Sequence, residues 1–249
     1  GLSVSIFSVE GKVFIVTGAA NGNGNSICQG IVEAGGIAVG IDKVDAPDWV
    51  GPFLNCDVSE RDVVEAFVDE VFETYGRLDG LVNNAGVSID ARMPYTDEDR
   101  LNFDLMLNVN LKAAFNLSCY CKEYLSRSDG GSIVNITSLG AHFGFRDNPW
   151  YQISKAGLSQ ATKCLALDMV DSGIRVNNLV PGYIKTSMTS SSSADESLSA
   201  IRMKRCIAGR WGESTDLIGP VLFLLSSASA YVNGSDLVVD GGWAANSGI

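Results

Sequence analysis

The sequence predicts an α/β fold in which one doubly wound parallel sheet carries helices on both faces. Short apolar runs alternate with longer amphipathic stretches along almost the whole chain, which is the pattern of strands joined by crossover helices. A glycine-rich turn over 18–24 joins the first apolar run to the first helical stretch. Neither a repeat nor an interdomain linker divides the 249 residues, so we expect a single domain over 1–249.

The first half of the chain contains four short apolar runs and three segments with helical periodicity. In order, we predict a strand over 12–17, a helix over 22–34, strands over 37–41 and 53–56, a helix after Ser59, a strand over 78–82 and a long helical region over 97–127. Ser59 is a suitable N-cap for the helix that follows it. That helix has six apolar residues on one predicted face: Val63, Val64, Phe67, Val68, Val71 and Phe72.

The second half continues the alternation and contains one irregular segment. We predict strands over 132–137, 174–180 and 236–240, and helices over 150–171 and 217–225. The segment over 183–212 is rich in serine, and it is either a polar surface loop or a flap that closes over ligands. We favour the flap, because the segment follows the carboxyl end of a strand, where such folds bind ligands.

Composition excludes several classes of function. The net charge is −11, and such a surface would repel phosphates, so we expect no nucleic-acid partner. No stretch reaches the roughly 18 uninterrupted apolar residues of a membrane span, and residues 1–7 lack the basic start of a signal peptide. The six cysteines are irregularly spaced, which is typical of reduced thiols in a cytoplasmic protein, and no metal site is expected.

The glycine-rich turn predicts a phosphate-binding site. Gly18, Gly22 and Gly24 lie between a strand and a helix, where glycines let the backbone approach a pyrophosphate and the helix N-terminus presents free N–H groups. The spacing is GxxxGxG rather than the commoner GxGxxG. Asn21 and Asn23 lie in the same turn and are further candidate contacts, and a dinucleotide is the ligand that we expect.

Asp42, at the end of the second strand, indicates which dinucleotide is preferred. A carboxylate there can accept hydrogen bonds from ribose hydroxyls and would repel a 2′-phosphate, so NAD is favoured over NADP. Asn21 agrees, because no arginine lies in the turn to bind a phosphate, whereas Lys43 could tolerate one. Asp57 could bond the adenine amino group or simply precede the next helix, and we count Asp57 and Val58 as cofactor candidates.

Tyr151 and Lys155 predict a proton-transfer pair. Residues four apart share a helix face, with Cβ atoms about 5–6 Å apart. The Lys155 ammonium is then placed to lower the phenol pKa from its ordinary value near 10. Ser138, at the end of the fifth strand, can hydrogen-bond a substrate oxygen. Alone, the pair is better explained by two surface residues; with the glycine turn, it indicates hydride transfer between a dinucleotide and an alcohol.

The motifs together resemble the short-chain dehydrogenase/reductase family over almost the whole chain. The matching motifs are TGxxxGxG at 17–24, NNAG at 83–86, NVN at 108–110, Ser138, YxxxK at 151–155, and PG at 181–182 followed by Thr186. The resemblance implies a Rossmann-type sheet and a homotetramer. It also implies a catalytic tetrad of Asn110, Ser138, Tyr151 and Lys155.

The resemblance implies a role for each member of this tetrad. Tyr151 would be the general acid/base, Ser138 would position the carbonyl, and Lys155 would lower the tyrosine pKa and bind the nicotinamide ribose. Asn110 would hold a water in a proton relay, whereas without the other motifs a local bond inside a helix would explain it. The resemblance adds further cofactor contacts: Asn84, Ala85, Gly86, Pro181, Ile184 and Thr186.

Two residues qualify this expectation. Asn23 stands where the resembled family usually has an aliphatic residue, so packing beneath the glycine turn is expected to differ. His142 is the only histidine, which argues against a hydrolase with a Ser–His–Asp triad; it either touches substrate or lies on a surface loop. The aromatic and polar residues that follow would suit a polyhydroxylated ligand, and Arg146 could pair with a carboxylate or phosphate: Phe143, Phe145, Arg146, Asn148 and Trp150.

We therefore expect an NAD(H)-dependent oxidoreductase that interconverts a secondary alcohol and a ketone. The segments GRWGE at 209–213 and VDGGW at 239–243 resemble sugar and sugar-acid dehydrogenases such as gluconate dehydrogenases, which places the small-molecule substrate in carbohydrate metabolism. One alternative is an NADPH-dependent 3-oxoacyl carrier-protein reductase, against which the charge and Asp42 argue. Another is a non-catalytic dinucleotide sensor, against which the complete Ser138, Tyr151 and Lys155 set argues.

Overall fold

The centre of the protein is a seven-stranded parallel sheet. The computed structural model describes residues 4–248, and these contain nine strands: β1 (Val13–Thr17), β2 (Ile37–Asp42), β3 (Phe53–Asn55), β4 (Gly80–Asn83), β5 (Ser132–Ile136), β6 (Arg175–Pro181), β7 (Ile184–Lys185), β8 (Gly212–Glu213) and β9 (Asp236–Val239). The order across the sheet is β3-β2-β1-β4-β5-β6-β9, with all neighbours parallel. The chain therefore reverses its direction of winding between β1 and β4.

Helices cover both faces of this sheet. Within residues 4–248 they are α1 (Gly22–Glu33), α2 (Arg61–Tyr75), α3 (Asp97–Met106), α4 (Ala114–Leu125), α5 (Pro149–Met169), α6 (Ser190–Ala194), α7 (Glu196–Met203) and α8 (Ile218–Leu225). A π-helical segment, Leu107–Ala113, joins α3 to α4 without a break. The long helical region predicted over 97–127 is confirmed, although its π-helical centre was not predicted.

Alternate residues of each strand build two cores. Val13 and Ile15 of β1 pack in one apolar cluster with side chains of α2, α4 and α5. Phe14 and Val16 point to the other face and pack with side chains of α1 and α8. This alternation within a buried strand is what a sheet covered on both sides requires, and the predicted doubly wound α/β architecture is confirmed.

The start of α2 differs from the prediction. The helix begins at Arg61 after Glu60, and no side chain caps it. Ser59 instead donates its hydroxyl hydrogen to Asp57 Oδ1 at 2.7 Å, so its predicted role as N-cap is wrong. Val63 is 46% exposed and does not belong to the buried face of the helix, which is formed by Val64, Phe67, Val68 and Val71.

The segment over 183–212 is mostly regular structure. Its two ends pair as the parallel strands β7 and β8, with Ile184 opposite Gly212, and α6 and α7 lie between them. The choice between a polar surface segment and a flap that closes over ligands stays a prediction. Along residues 4–248, no helix combines the length and apolarity needed to cross a bilayer. We predicted that residues 1–7 are not a signal peptide, and the first three of these residues lie outside the described part of the chain.

Candidate active site

The ends of β1 and β4 meet at the point where the winding reverses, and side chains tie them together. Thr17 Oγ1 accepts hydrogen bonds from the backbone N–H groups of Asn84 at 3.0 Å and Ala85 at 2.9 Å. Asn84 Nδ2 donates in return to the carbonyl oxygens of Thr17 and Gly18, both at 3.2 Å. The NNAG turn and the glycine turn thus form one rigid edge, where such sheets bind ligands.

The glycine turn has the geometry of an anion site. A Cβ on Gly24 would lie 2.0 Å from the Gly18 carbonyl oxygen, so no other residue fits there. Gly22 has a φ of +57°, and its missing Cβ would face open space, with Thr186 the nearest residue at 3.9 Å. Asn21 does not cap α1 with its side chain, and the first turn of α1 contains no acidic residue. The free N–H groups at this helix start therefore fit a pyrophosphate.

Asp42 faces the same turn from the end of β2. Its Oδ2 accepts from the Ala20 N–H and its Oδ1 from the Val44 N–H, both at 3.0 Å. These bonds hold the carboxylate beside the glycine turn, at the predicted ribose position.

Asp57 and Val58 lie at the next strand end, beyond β3. Asp57 Oδ1 accepts hydrogen bonds from both the backbone N–H and the hydroxyl of Ser59. This oxygen therefore has its partners within the turn before α2. Val58 borders two adjoining spaces, one of about 340 Å³ between α2 and α4 and a smaller one that Ala85 also lines. Both residues therefore remain candidates for the adenine end on position alone.

Ser138, Tyr151 and Lys155 come together at the carboxyl end of β5. Ser138 opens a 3₁₀ turn over Leu139–Ala141, and its Oγ accepts from the Gly140 N–H at 3.0 Å. Lys155 is 3% exposed; its Nζ donates to the Ile136 carbonyl at 2.9 Å and lies 5.7 Å from the centroid of the Tyr151 ring. The three side chains that the sequence singled out are therefore neighbours in the structure.

Burial dominates the electrostatics of this cluster. It raises the pKa of Tyr151, and the adjacent Ser138 hydroxyl partly offsets that rise. Burial also lowers the pKa of Lys155 to about 8. The expectation that Lys155 leaves Tyr151 with a lowered pKa is therefore wrong for the free protein, because desolvation of the phenolate has the largest effect on this pKa.

Asn110 lies in the π-helical segment and is 1% exposed. Its Oδ1 accepts from the Val87 N–H at 2.8 Å, and its Nδ2 donates to the Val87 carbonyl at 2.9 Å and to Ser154 Oγ at 3.0 Å. Ser154 Oγ donates to the Tyr151 carbonyl at 2.7 Å. Asn110 therefore does not make a local bond within its helix; it joins the segment after the NNAG turn to the helix that carries Tyr151.

Gly86 lies between Asn110 and Lys155. A Cβ at this position would be 3.4 Å from Asn110 Oδ1 and 3.5 Å from Lys155 Nζ. Val87 and Ser154 were not predicted as site residues. The signal for Val87 was its place directly after NNAG, and the signal for Ser154 was its place beside Lys155.

The segment after β6 reaches back over the glycine turn. Pro181 ends β6, and Ile184 is buried in β7. Thr186 donates its backbone N–H to Thr189 Oγ1 at 2.9 Å, which turns the chain towards Gly22. Of the contacts predicted after β6, Thr186 therefore lies beside the glycine turn.

The residues around His142 divide into paired and unpaired groups. His142 Nε2 lies 3.3 Å from Asp236 Oδ2, at the start of β9. Asn148 Nδ2 donates to Ser88 Oγ at 3.2 Å, whereas Asn148 Oδ1 and Trp150 Nε1 are buried and have no partner among residues 4–248. Arg146 is exposed and makes no ion pair in the described part of the chain.

The cysteines are free, as predicted, within the described residues. Cys28, Cys56, Cys121 and Cys206 are buried, whereas Cys119 and Cys164 are exposed. Across residues 4–248, no three His, Cys, Asp or Glu side chains gather in a way that could hold a metal ion.

Comparisons with known proteins identify relatives along almost the whole chain. A family model described as Enoyl-(Acyl carrier protein) reductase matches residues 18–244. The 2-dehydro-3-deoxy-D-gluconate 5-dehydrogenase of Escherichia coli (strain K12) is 37% identical over 253 residues, which cover 97% of this chain and 99% of the relative. The 3-oxoacyl-[acyl-carrier-protein] reductase of Thermotoga maritima is 34% identical over 246 residues, which cover 94% of this chain and 98% of the relative.

A solved structure shares the fold at similar coverage. The gluconate 5-dehydrogenase from Burkholderia cenocepacia J2315, in complex with NADP and tartrate, superposes with a TM-score of 0.89 at 30% identity, covering 97% of this chain and 98% of the other.

Proposed function

Because this chain belongs to the short-chain dehydrogenase/reductase family, we propose that it is a nicotinamide-dependent oxidoreductase that interconverts a secondary alcohol and a ketone on a sugar acid. The observation that carries this proposal is the cluster of Ser138, Tyr151 and Lys155 beside the space in front of the glycine turn. The E. coli and Burkholderia relatives named above act on sugar acids by name, which supports the substrate class.

The residues of the chain divide the work of binding and proton transfer. The glycine turn, the uncapped start of α1 and Thr186 would hold the dinucleotide, which would supply the hydride acceptor or donor. Ser138 Oγ orients the substrate oxygen, and Tyr151 Oη takes the hydroxyl proton during oxidation and returns it during reduction. Lys155 stabilises the phenolate that forms and binds the nicotinamide ribose. Asn110 bonds to Val87 and Ser154 and so holds the helix that carries Tyr151 in position.

We propose NAD as the preferred dinucleotide. Asp42, held by the Ala20 and Val44 N–H groups, places a negative charge where the 2′-phosphate of NADP would lie. The NADP found in the Burkholderia structure argues the other way, so the preference depends on Asp42 itself.

The similarity to the Thermotoga enzyme supports a second candidate function, that of a 3-oxoacyl carrier-protein reductase. The net charge of −11 opposes it, because a carrier protein would be docked through basic residues. A non-catalytic dinucleotide sensor would have no use for the buried, hydrogen-bonded Lys155 beside Tyr151.

A homotetramer, a cytoplasmic location and closure of the segment over 183–212 belong to the same proposal. Exposed apolar side chains on α3, α4 and α5 support self-association, since an identical surface could cover them: Leu101, Phe115, Ile153 and Leu167. Light scattering of the purified protein would test the tetramer, and a monomer would contradict it.

The function is tested by following nicotinamide absorbance with D-gluconate, 2-dehydro-3-deoxy-D-gluconate and uncharged polyols as substrates. Turnover of a sugar acid is the expected result. Tyr151→Phe should lose turnover by about a thousandfold or more while still binding the dinucleotide, because it keeps the ring and loses only the proton-transferring hydroxyl. Tyr231→Phe is the matched control, since that side chain is fully exposed. Near-normal turnover in Tyr151→Phe would refute the proton role.

A further inference from the structure

Arg202 of α7 lies over an aromatic surface next to the candidate active site. Its guanidinium carbon is 5.0 Å from the centroid of the Tyr183 ring and 5.9 Å from that of Trp211. A guanidinium that stacks on a ring uses only its flat face, so its N–H groups remain at the edge to bind an acceptor. The stack also fixes the plane in which those groups point.

These N–H groups have no acceptor within residues 4–248, in contrast to neighbouring arginines. Arg205 donates twice to the Asn246 carbonyl, at 3.0 and 2.7 Å, and Arg210 pairs with Asp216 at 2.8 Å. Asp195, the N-cap of α7, makes no ion pair with Arg202 among the described residues, and its Oδ1 accepts from the Leu198 N–H and the Ser197 hydroxyl. Arg202 is thus a half-buried cation with donor capacity to spare.

The aromatic surface under Arg202 continues to the catalytic cluster. The Tyr183 ring contacts that of Phe145, with centroids 6.4 Å apart. The Phe145 backbone exchanges two hydrogen bonds with Gln152, at 2.8 and 2.9 Å. Gln152 follows Tyr151 in the chain, and a Cβ on Gly140 would touch both Gln152 Cγ, at 2.9 Å, and Ser138 Oγ, at 3.4 Å. A chain of contacts through Tyr183, Phe145 and Gln152 therefore connects Arg202 to the part of the molecule that carries Ser138.

We propose that Arg202 binds the carboxylate of the substrate and thereby selects sugar acids over uncharged polyols. The inference rests on the proposed function, because it assigns the recognition of the acid group to a residue of that same site. A local cation is needed here, since the net charge of −11 opposes the approach of an anion. An arginine edge also matches the two oxygens of a carboxylate. Arg146, exposed and unstacked, is the rival group for the same task.

The inference is tested by calorimetry on the full-length protein saturated with oxidised dinucleotide. Sodium D-gluconate and 2-dehydro-3-deoxy-D-gluconate are the carboxylate probes, and D-glucitol is the uncharged probe. Arg202→Gln should weaken carboxylate binding about tenfold or more, and change binding of D-glucitol by less than about threefold. Arg202→Lys should lose less, because it keeps the charge but not the paired donors. Lys204→Gln and Arg146→Gln are matched controls that remove one positive charge each. Their binding should stay near that of the wild type.

Each other outcome overturns the inference. Equal weakening of charged and uncharged probes would make Arg202 a structural residue, and selective weakening in Arg146→Gln would assign the carboxylate to the rival. Failure of the wild type to bind either carboxylate probe would remove the site. The proposed function is judged separately: turnover of a sugar acid that is unchanged in Arg202→Gln supports the function and rejects Arg202. If the wild type oxidises only uncharged polyols, both sugar-acid specificity and the role of Arg202 are contradicted. The oxidoreductase reaction itself would still be supported.

Discussion

The side-chain amide of Asn110 pairs with both backbone groups of Val87, accepting at 2.8 Å and donating at 2.9 Å. The two residues are far apart in sequence, and the pairing resembles one rung of a β-ladder made by a side chain. It holds the strand end after β4 against the helical layer that carries Tyr151, since Asn110 also bonds Ser154. Asn110 makes these bonds from within the π-helical segment, and such segments are frequent at functional sites.

Asn110→Ala should lower both stability and turnover. Removing the amide leaves the partly buried Val87 N–H without its acceptor, which should lower the free energy of unfolding by about 1–3 kcal/mol. The helix carrying Tyr151 loses its tie to Val87, and a shift of about 1 Å at a catalytic group reduces the rate by roughly a hundredfold. Urea unfolding and nicotinamide absorbance measure the two effects. Asn108→Ala, exposed in the same segment, is the control and should change neither; equal effects in both variants would contradict a specific role.

The architecture could be predicted because each strand is an uninterrupted apolar run of the kind that only a doubly covered sheet buries. All four residues from Val13 to Val16 are buried, so the strand appears in the sequence as a continuous apolar run. Local sequence patterns predicted the ends of helices less well than they predicted the strands. The start of α2 shows why: Ser59 has the right side chain for a cap, but the carboxylate of Asp57 accepts its hydroxyl hydrogen first.

The site was predictable where a motif lies on one element, and less so where two elements meet. Tyr151 and Lys155 share one helix, so their proximity follows from spacing alone. The bonds of Asn110 and the stack of Arg202 on Tyr183 depend on tertiary packing, which no local pattern encodes. The sign of the Tyr151 pKa shift was also beyond the sequence, because it depends on how deeply the phenol is buried.

The pKa of Lys155 predicts a pH dependence of stability in the free protein. Burial lowers this pKa from 10.5 to about 8, so between these values the unfolded chain binds more protons than the folded one. The free energy of unfolding therefore rises with pH in this window, and the cost of burying the ammonium is fully present below pH 8. Relative to Lys155→Met, the wild type should gain up to about 1.4 kcal/mol per pH unit between pH 8 and 10.

Urea unfolding at pH 7, 8, 9 and 10 would measure this difference. Lys163→Met is the matched control, because Lys163 is exposed on the same helix, and its difference from the wild type should not change with pH. A flat difference for Lys155→Met over the same range would show that the ammonium is solvated in the folded protein.

The position of Asp42 predicts the cofactor preference and how to change it. Asp42→Asn keeps an oxygen that can accept from the Ala20 N–H but removes the negative charge beside the ribose site. The ratio of kcat/KM with NADP to that with NAD should rise about tenfold, because repulsion of the 2′-phosphate is lost. Asp45→Asn, which removes an exposed charge from the same loop, should leave the ratio near that of the wild type. Preference for NADP in the wild type would contradict the assignment of Asp42.

The departure at Asn23 predicts a stabilising substitution. Asn23 Oδ1, in the first turn of α1, is buried and has no hydrogen-bond partner in the described part of the chain, which costs free energy that an apolar side chain of similar shape would not. Asn23→Leu should raise the free energy of unfolding by about 1 kcal/mol and the melting temperature by about 2–4 °C. The backbone N–H of residue 23 is unchanged, so dinucleotide affinity should be kept.

Asn25→Leu is the matched control for this prediction. Asn25 lies one residue beyond Gly24 on the same helix, but its side chain donates to the Ala19 carbonyl at 3.4 Å and accepts from Gln29 at 2.9 Å. Its replacement removes satisfied bonds and should lower the melting temperature or leave it unchanged. Differential scanning calorimetry of the three proteins without dinucleotide decides the matter. If Asn23→Leu melts below the wild type, Oδ1 does not carry the cost assigned to it, because filling the position with an apolar side chain would then have removed a favourable contact.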